Sequence, residues 1–343
     1  MTRIKAKSTD AQSADTLVTH LQSYFVKALD KLSSEIGENK KCQSIEWFRH
    51  QGEFGGGLRY VATDEKLFNR GSVNVSQVQY DSDETKQLAS ATALSTIIHP
   101  RNPHAPSIHM HISWTEMKDG KGYWRMMADL NPSIYKEEDK AMFETTLQES
   151  GQEFYEEASA QGDKYFYIPV LERHRGISHF YLENFTTQSK EHDLQMAKSL
   201  GENVIDTYVK IIHNEITTNP DVSEKDKEAQ LAYHTLYLFQ VLTLDRGTTS
   251  GLLVHNENDV GILGSIPSHV NKELLLSWKE KMPEGQEELL EVIAGCLDDT
   301  GSVEEAQKLS LAQAVREFYI KNPEALKMQA SGNVSVPTVQ NHK

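Results

Sequence analysis

Apolar and polar side chains alternate through residues 107–114, and this alternation predicts a β-strand with two different faces. One face would carry Ile108, Met110, Ile112 and Trp114, and the other would carry His109, His111 and Ser113. The preceding segment HPRNPHAP cannot form a helix, because proline lacks a backbone donor and restricts the residue before it. The pattern therefore predicts a rigid loop and a strand whose imidazoles either line a pocket or face water.

Hydrophobic periodicity along the rest of the chain predicts alternating helical and strand regions. We expect helices over 11–36, 137–161, 188–217, 271–281, 286–297 and 302–320. Strands are predicted next to the glycine-rich EFGGGLRYVA and in SVNVSQVQY, ALSTIIH, SIHMHISW, GYWRMMADL, KYFYIPV, TLYLFQVLTLDRG, and SGLLVH with NDVGILGSIP. Short connections between strands favour antiparallel pairing. The sequence thus predicts one α+β domain over 11–329, with helices flanking both faces of a large antiparallel sheet. Residues 1–10 and the polar tail 330–343 are expected to be flexible.

Composition and charge narrow the possible function classes. The 343-residue chain has a formal net charge of −15 and no basic stripe, which argues against nucleic acid as a partner. No run of about 18 apolar residues occurs, so we expect no membrane span. Cys42 and Cys296 lie far apart without a CxxC motif, which indicates neither a disulfide framework nor a thiolate metal site. A reducing cytoplasm is the compartment that fits these features.

Polar residues that could take part in catalysis or ligand binding cluster near the ends of predicted strands. The histidines between 99 and 111 could bind a metal, although no carboxylate stands at ligand spacing from them. Alternation in GYWRMMADLNP places Asp129 at the rim of the sheet, where it can be an acid or base, or can cap a turn. Arg173 and Arg175 could meet an anion. The neighbours Asp245 and Arg246, at a predicted strand end, are more typical of a structural ion pair than of a site.

Eight short motifs follow one another in a fixed order. They are GGG, NVS, SxxxHPxNPxxPxxH, ADLNP, YFYIP, RGI, LDRGTxxGL and SIP. Together, over about residues 43–282, the chain resembles the oxygen-dependent coproporphyrinogen III oxidase family. The resemblance implies a broad antiparallel sheet sandwiched by helices and a homodimeric assembly. The implied fold agrees with the one that periodicity predicts.

The resemblance also implies a reaction and a set of site residues. The reaction would be two successive oxidative decarboxylations that convert two propionates of a tetrapyrrole, coproporphyrinogen III, to vinyls. Molecular oxygen would be the co-substrate and no redox cofactor would be required. His109 matches the proton donor, and Asp129 matches the carboxylate proposed to hold the pyrrole nitrogens. Ser95, Arg175 and Arg246 match substrate-binding positions. His99 matches an imidazole discussed as a metal ligand, so a divalent metal on His99 and His109 is a further option.

The sequence departs from the family pattern at functional positions. His111 and Ser113 stand where the family has asparagine and arginine after the donor histidine, and we expect both to contact the substrate. Further departures are Val170–Leu171 for His-Arg, Ser178–His179 for Gly-Gly, Met126–Met127–Ala128 for a glycine-rich run, and Asn258 for arginine. Because coproporphyrinogen carries four carboxylates, three lost arginines at about 1–3 kcal/mol each would weaken its binding greatly unless other groups compensate. Arg59, Arg101, Arg125 and His179 are the candidate replacements.

Three hypotheses follow from the resemblance and the departures. The first is an ordinary coproporphyrinogen III oxidase in which new cations replace the lost ones. The second is a paralogue that performs the same oxygen-dependent chemistry on another electron-rich, less carboxylated molecule. The third is a tetrapyrrole-binding protein without turnover. The arrangement of cations and carboxylates around the pocket distinguishes among them.

Overall fold

Seven strands form one antiparallel sheet in the order β1-β2-β3-β4-β5-β6-β9, in a computed structural model that describes residues 1–333, 339 and 342. The strands are β1 (Gln43–Phe48), β2 (Gly55–Val61), β3 (Phe68–Gln79), β4 (Leu88–Pro100), β5 (Ser107–Met117), β6 (Gly122–Asn131) and β9 (Ser178–Phe185). A separate two-stranded ladder pairs β7 (Tyr167–Ile168) with β8 (Arg173–His174). The antiparallel sheet that the alternation predicted is confirmed.

Helices cover both faces of this sheet. In the described part of the chain they are α1 (Thr9–Ile36), α2 (Glu137–Gly151), α3 (Tyr155–Phe166), α4 (Lys190–Thr218), α5 (Glu224–Thr243), α6 (Arg246–Val254), α7 (Asp259–Ile262), α8 (Lys272–Ser277), α9 (Glu287–Gly295) and α10 (Glu305–Lys321). None of them combines the length and apolar character that crossing a bilayer requires. The α+β class with helices on both faces is therefore confirmed.

The main core lies between one face of the sheet and helices α1, α2 and α4. Side chains that alternate inward from β5 and β6 join the apolar stripes of α1 and α4 in this core. The members from β5 are Ile108, Met110, Ile112 and Trp114, as the alternation predicted. Ser8 caps the N-terminus of helix α1. Its side chain accepts a hydrogen bond from the N–H of Ala11 and so satisfies an otherwise free donor.

A second core lies on the opposite side of the sheet and consists mainly of helices. Helix α5 packs here with α6, α8, α9 and α10, and Ile97 of β4 joins them. Every residue from 233 to 243 of α5 is buried. Because α5 lies over the polar face of the sheet, a space between sheet and helices remains lined by polar groups.

Several predicted elements are wrong, and the errors have a common cause. TLYLFQVLTLDRG and SGLLVH belong to helices α5 and α6, and NDVGILGSIP contains helix α7. A continuously buried helix shows no amphipathic period, so its apolar run resembles a buried strand. In KYFYIPV only Tyr167–Ile168 is strand, because α3 continues to Phe166. The predicted helix 137–161 is two helices, α2 and α3, with Gln152 at φ 46° between them.

The two ends of the chain differ in how much the structure describes. Residues 1–8 contact the sheet: the N–H of Ala6 donates to Gln77 Oε1 at 2.8 Å, and Arg3 pairs with Glu46. Most of the predicted flexible tail 330–343 lies outside the described residues. Among the described residues of this stretch, His342 lies against Tyr80, with 5.9 Å between their ring centroids. The domain bounds that the sequence predicted stay a prediction.

Candidate active site

A cavity of about 290 Å³ lies between the polar face of the sheet and helices α5 to α7. Its floor includes Ser72, Asn74, Ser95, His109, His111, Ser113, Arg125 and Met127, and its roof includes Val241, Asp245, Thr248, Gly261 and Ile262. The volume is at the lower end of the roughly 300–1,000 Å³ typical of small-molecule sites. The histidines of the alternating strand therefore line a pocket instead of facing bulk water.

Strand register brings the floor residues together. Ser95 of β4 lies opposite His111 of β5, and His111 lies opposite Met127 of β6. One step along, Ser113 lies opposite Arg125. Directly opposed residues in antiparallel strands share a face and have neighbouring Cβ atoms. Residues distant in sequence thus form one continuous polar floor.

His109 is a buried, neutral imidazole in this floor. Its Nδ1 accepts a hydrogen bond from Arg175 Nη2 at 3.1 Å, so the proton of the neutral ring resides on Nε2. Burial and the adjacent Arg175 guanidinium lower the pKa of His109 to about 3. At neutral pH this residue can therefore donate a hydrogen bond from Nε2 without carrying a charge.

Asp129 lies directly opposite His109 on the neighbouring strand and is fully buried. Its Oδ2 accepts from Arg175 Nη2 at 2.8 Å, and its Oδ1 accepts from His179 Nδ1 at 2.6 Å. Burial alone would raise the pKa of Asp129, but His179 and Arg175 outweigh it and hold the pKa below its usual range. Asp129 lies near the end of β6, as predicted, but it is buried because β9 pairs with β6 and places His179 against it.

Asp245 is one of two carboxylates that line the cavity in the described part of the chain, with Glu183, and the sequence pattern did not indicate this role. Its Oδ1 accepts from the hydroxyl of Tyr165 at 2.9 Å, and its Oδ2 accepts from the N–H of Thr248 at 2.7 Å. Burial opposes its ionisation, but His109 and Arg125 nearby outweigh burial and bring the pKa of Asp245 to about 2. Asp245 is an anion at the N-terminus of α6, where the helix dipole also favours negative charge.

Two arginines line the cavity with nitrogens that have no hydrogen-bond partner among the described residues. Arg125 donates from Nη2 to Tyr165 at 2.9 Å, while its Nε is buried and unpartnered. Arg49 lies over the ring of Trp47 at 5.0 Å with both Nε and Nη1 unpartnered, and burial lowers its pKa to about 10. Buried donors without acceptors are costly, so both guanidinium groups suit an anionic ligand.

The other candidate replacement cations lie outside the cavity lining. Arg59 is buried, its Nε and Nη1 are unpartnered in the described chain, and its Nη1 packs against Gly261 of the roof. Arg101 is exposed and donates to the main-chain oxygen of Glu65. Arg59 thus lies behind the cavity wall, and Arg101 is a surface residue.

The remaining predicted site residues differ in what they contact. Ser95, His111 and Ser113 line the cavity, and His111 Nε2 lies 2.9 Å from Ser113 Oγ. Arg175 is buried and bonds His109, Asp129 and Asn131. Arg246 pairs with Glu183 of β9, not with its neighbour Asp245, and also donates to the hydroxyl of Tyr181 at 3.3 Å. Arg175 and Arg246 therefore neutralise protein carboxylates.

The contacts of His99 and His109 do not suit a metal ion between them. His99 is buried next to the rings of Tyr233, His234 and Tyr237, and its Nδ1 lies 2.8 Å from Ser107 Oγ. Nδ1 of His109 already accepts from a guanidinium, whose positive charge opposes a cation at that nitrogen. In the described part of the chain, the one group of three metal-ligating side chains lies elsewhere, at Asp163, His174 and His179.

Comparison with known proteins connects this site to one family. The family profile described as Coproporphyrinogen III oxidase matches residues 13–295. A rat protein named oxygen-dependent coproporphyrinogen-III oxidase, mitochondrial, is 30% identical over 272 residues, 72% of this chain and 60% of the rat protein. A Drosophila melanogaster protein named oxygen-dependent coproporphyrinogen-III oxidase is 27% identical over 296 residues, 79% of this chain and 74% of that protein. The chain thus matches less than two thirds of the length of the rat relative.

Proposed function

The chain belongs to the coproporphyrinogen III oxidase family, and from this membership we propose that it oxidatively decarboxylates coproporphyrinogen III with molecular oxygen. In each step one propionate, R–CH2–CH2–COO⁻, reacts with O2 and a proton to give R–CH=CH2, CO2 and H2O2. The carboxylate leaves as CO2, and one β-hydrogen leaves with two electrons that reduce O2. The electron-rich tetrapyrrole supplies the electrons, so this proposal needs no redox cofactor.

One observation carries the proposal: the cavity lining combines a neutral imidazole, carboxylates and two guanidinium groups, some of whose nitrogens have no partner among the described residues. His109 offers Nε2–H, Asp245 offers a carboxylate, and Arg49 and Arg125 offer N–H donors that have no acceptor in the described part of the chain. A porphyrinogen presents pyrrole N–H donors at its centre and propionate anions at its edge. The cavity therefore has acceptors and donors for both kinds of group.

In this proposal His109 acts on the oxygen that is being reduced. A hydrogen bond from Nε2 stabilises negative charge as it develops on dioxygen, and the neutral imidazole costs no prior protonation. Arg175 holds the ring through Nδ1 and keeps the proton on Nε2. The low pKa of His109 favours this hydrogen-bond role over the proton-donor role that the resemblance implies, and the latter stays a prediction.

The two aspartates take different roles in this proposal. Asp245 lines the cavity and can accept hydrogen bonds from pyrrole N–H groups. Asp129 is not among the residues that line the cavity, and its two oxygens accept from Arg175 and His179, so Asp129 acts as a positioning residue that fixes Arg175 against His109. The pyrrole-binding role that the family resemblance implies for Asp129 stays a prediction, and its contacts favour the positioning role.

Arg49 and Arg125 are proposed to bind the propionates. Each buried guanidinium with unpartnered nitrogens gains charge-assisted hydrogen bonds when a carboxylate enters. Ser95, His111 and Ser113 line the same cavity and are proposed to supply further polar contacts. The homodimer and the cytoplasmic location stay predictions.

Aerobic incubation with coproporphyrinogen III, followed by chromatography of the products, tests the proposed function. We expect protoporphyrinogen to form with oxygen and not under argon. The result that overturns the proposal is an unchanged substrate at protein concentrations that saturate binding. Binding without turnover would instead support the tetrapyrrole-binding hypothesis.

A second candidate is the same chemistry on a substrate with fewer carboxylates. Among the described residues, the cavity lining includes two arginines with unpartnered nitrogens, whereas coproporphyrinogen III carries four carboxylates. Met127 and Asp245 occupy further parts of the lining. A porphyrinogen with two propionates distinguishes the candidates when both substrates are assayed side by side. A higher kcat/KM for the two-propionate substrate supports the second candidate, and a higher value for coproporphyrinogen supports the first.

A further inference from the structure

Three side chains with metal-binding atoms meet beside the buried Asp129. They are Asp163 on α3, His174 on β8 and His179 on β9, and one ligand atom from each lies within 4.8 Å of the other two. His179 is buried, His174 is half-buried, and the Asp163 side chain is 61% exposed. The cluster thus reaches from the edge of the active-site network to the protein surface.

In each of the two imidazoles, one ring nitrogen donates a hydrogen bond to the protein and the other can bind a metal ion. His179 Nδ1 donates to Asp129 Oδ1 at 2.6 Å, which leaves Nε2, 3.8 Å from Asp163 Oδ1, to bind a metal. His174 Nε2 lies 2.9 Å from the main-chain oxygen of Asp163 and must donate to it, which leaves the lone pair of Nδ1. Metal-binding histidines usually donate their second N–H to a carboxylate or carbonyl in this way, which fixes the tautomer and the ring.

The backbone also shapes the cluster. A Cβ on Gly162 would lie 2.5 Å from Cβ of His179, so glycine at this position lets α3 approach β9 closely. This approach places Asp163, the next residue, beside the His179 ring. The other side of that ring stacks on Phe166, with 5.2 Å between the ring centroids. His179 is therefore positioned before any ion binds.

We propose that Asp163, His174 and His179 bind a divalent transition-metal ion of the zinc class. Two imidazoles and one carboxylate suit borderline ions such as Zn²⁺, which bind nitrogen and oxygen ligands at about 2.0–2.2 Å. The exposed Asp163 side chain can rotate to close the site, and water can occupy the fourth position. The ion ties α3, β8 and β9 together and holds the ring that orients Asp129. This inference does not depend on the proposed reaction.

Metal titration of the full chain, after treatment with a chelator, tests this site. Isothermal calorimetry with Zn²⁺ should show one ion bound per chain, and Co²⁺ should give visible absorption bands typical of low coordination number. Asp163→Asn and His174→Ala should each weaken Zn²⁺ binding at least tenfold. The exposed His192 lies outside the cluster, so His192→Ala should bind like the unsubstituted chain.

Both test positions are accessible at the surface, so circular dichroism should show that the variants keep the fold. The proposal is overturned if the unsubstituted chain binds Zn²⁺ no more tightly than the Asp163→Asn/His174→Ala double variant. It is also overturned if His192→Ala loses as much affinity as His174→Ala. Neither readout uses porphyrinogen turnover, so failure of the metal site and failure of the proposed function are distinguishable.

Discussion

Ser113 of β5 and Arg125 of β6 lie directly opposite each other on the floor of the cavity. Ser113 occupies the position where the family pattern has an arginine after the donor histidine. Arg125 therefore places a guanidinium next to that position from the neighbouring strand. Its guanidinium carbon lies 5.4 Å from the ring centroid of Tyr165 and 5.3 Å from that of Tyr181, and these two rings stack on each other. We infer that the cationic group of this subsite is retained and has moved by one strand.

Replacing Arg125 should weaken substrate binding, and returning arginine to position 113 should restore part of it. Arg125→Ser removes a charged hydrogen-bond donor worth about 1–3 kcal/mol, so KM should rise by roughly 5- to 150-fold. The double variant Ser113→Arg/Arg125→Ser should recover at least part of this loss, because the guanidinium returns to the same subsite. Steady-state kinetics with the porphyrinogen measure both changes.

Arg101→Ser is the matched control, because Arg101 is an exposed arginine outside the cavity lining whose side chain donates to the carbonyl of Glu65. Its KM should equal that of the unsubstituted chain. If Arg125→Ser and Arg101→Ser have the same KM, Arg125 does not bind the substrate carboxylate.

His109→Gln should reduce kcat at least tenfold with little change in KM. Glutamine can keep a contact with Arg175 but cannot place a donor as the imidazole Nε2 does. Because the pKa of His109 is about 3, ionisation of His109 should not shape the rate between pH 6 and 8. A pH–rate profile in this range checks the second statement: an acidic limb that disappears in His109→Gln would show that His109 titrates there.

Asp245→Asn and Asp129→Asn should have different effects. Asp245→Asn removes the cavity anion but keeps an acceptor for the Thr248 N–H, so kcat/KM should fall at least tenfold while the melting temperature changes little. Asp129→Asn removes the negative charge that pairs with the buried Arg175 guanidinium, which should cost about 3–5 kcal/mol of unfolding free energy. Urea unfolding and steady-state kinetics on both variants measure this contrast. Equal loss of stability in the two variants would contradict it.

Buried neutral histidines should make the fold sensitive to acid. Burial lowers the pKa of His234 on α5 to about 3, below its ordinary 6.5, so between these values the unfolded chain binds the extra proton. Stability is therefore fully present above about pH 6.5 and falls towards pH 3, by about 1.4 kcal/mol per pH unit for each such group. In His234→Phe, the unfolding free energy should therefore fall less steeply between pH 5.5 and 4.5 than in the unsubstituted chain, by about 1.4 kcal/mol per pH unit. Urea unfolding at several pH values measures this difference.

Tyr233→Phe is the control for this experiment, since the Tyr233 pKa is raised and its hydroxyl stays protonated throughout the range. Its pH slope should match that of the unsubstituted chain. An unchanged slope in His234→Phe would mean that this histidine does not remain neutral in the folded protein.

The sequence could predict the cavity floor but not its roof. The two faces of β5 follow from strict alternation, so His109, His111 and Ser113 were placed on one side correctly. The roof depends on α5 and α6, whose apolar runs carry no helical period because the helices are buried on nearly all sides. Because these runs were predicted as strands, the position of Asp245 in the cavity was not predicted. Asp245 caps the N-terminus of α6, and this helix brings it to the roof of the cavity.

The network around Asp129 could not be predicted for a different reason. Its partners Arg175 and His179 are about fifty residues away in sequence and reach it only because β9 pairs with β6. Strand order in a sheet is a tertiary property, and local patterns contain no information about it. The same holds for the pairing of Arg246 with Glu183 in place of its neighbour Asp245.

The proposed oxidative decarboxylation is tested most directly by measuring the ¹³CO2 released from coproporphyrinogen III labelled at its propionate carboxyl carbons. Mass spectrometry should detect oxygen-dependent ¹³CO2 from the unsubstituted chain, none under argon, and at least tenfold less from His109→Gln. Release of no ¹³CO2 in the presence of oxygen, at concentrations where the labelled porphyrinogen is shown to bind, would contradict the proposed oxidative decarboxylation of this substrate.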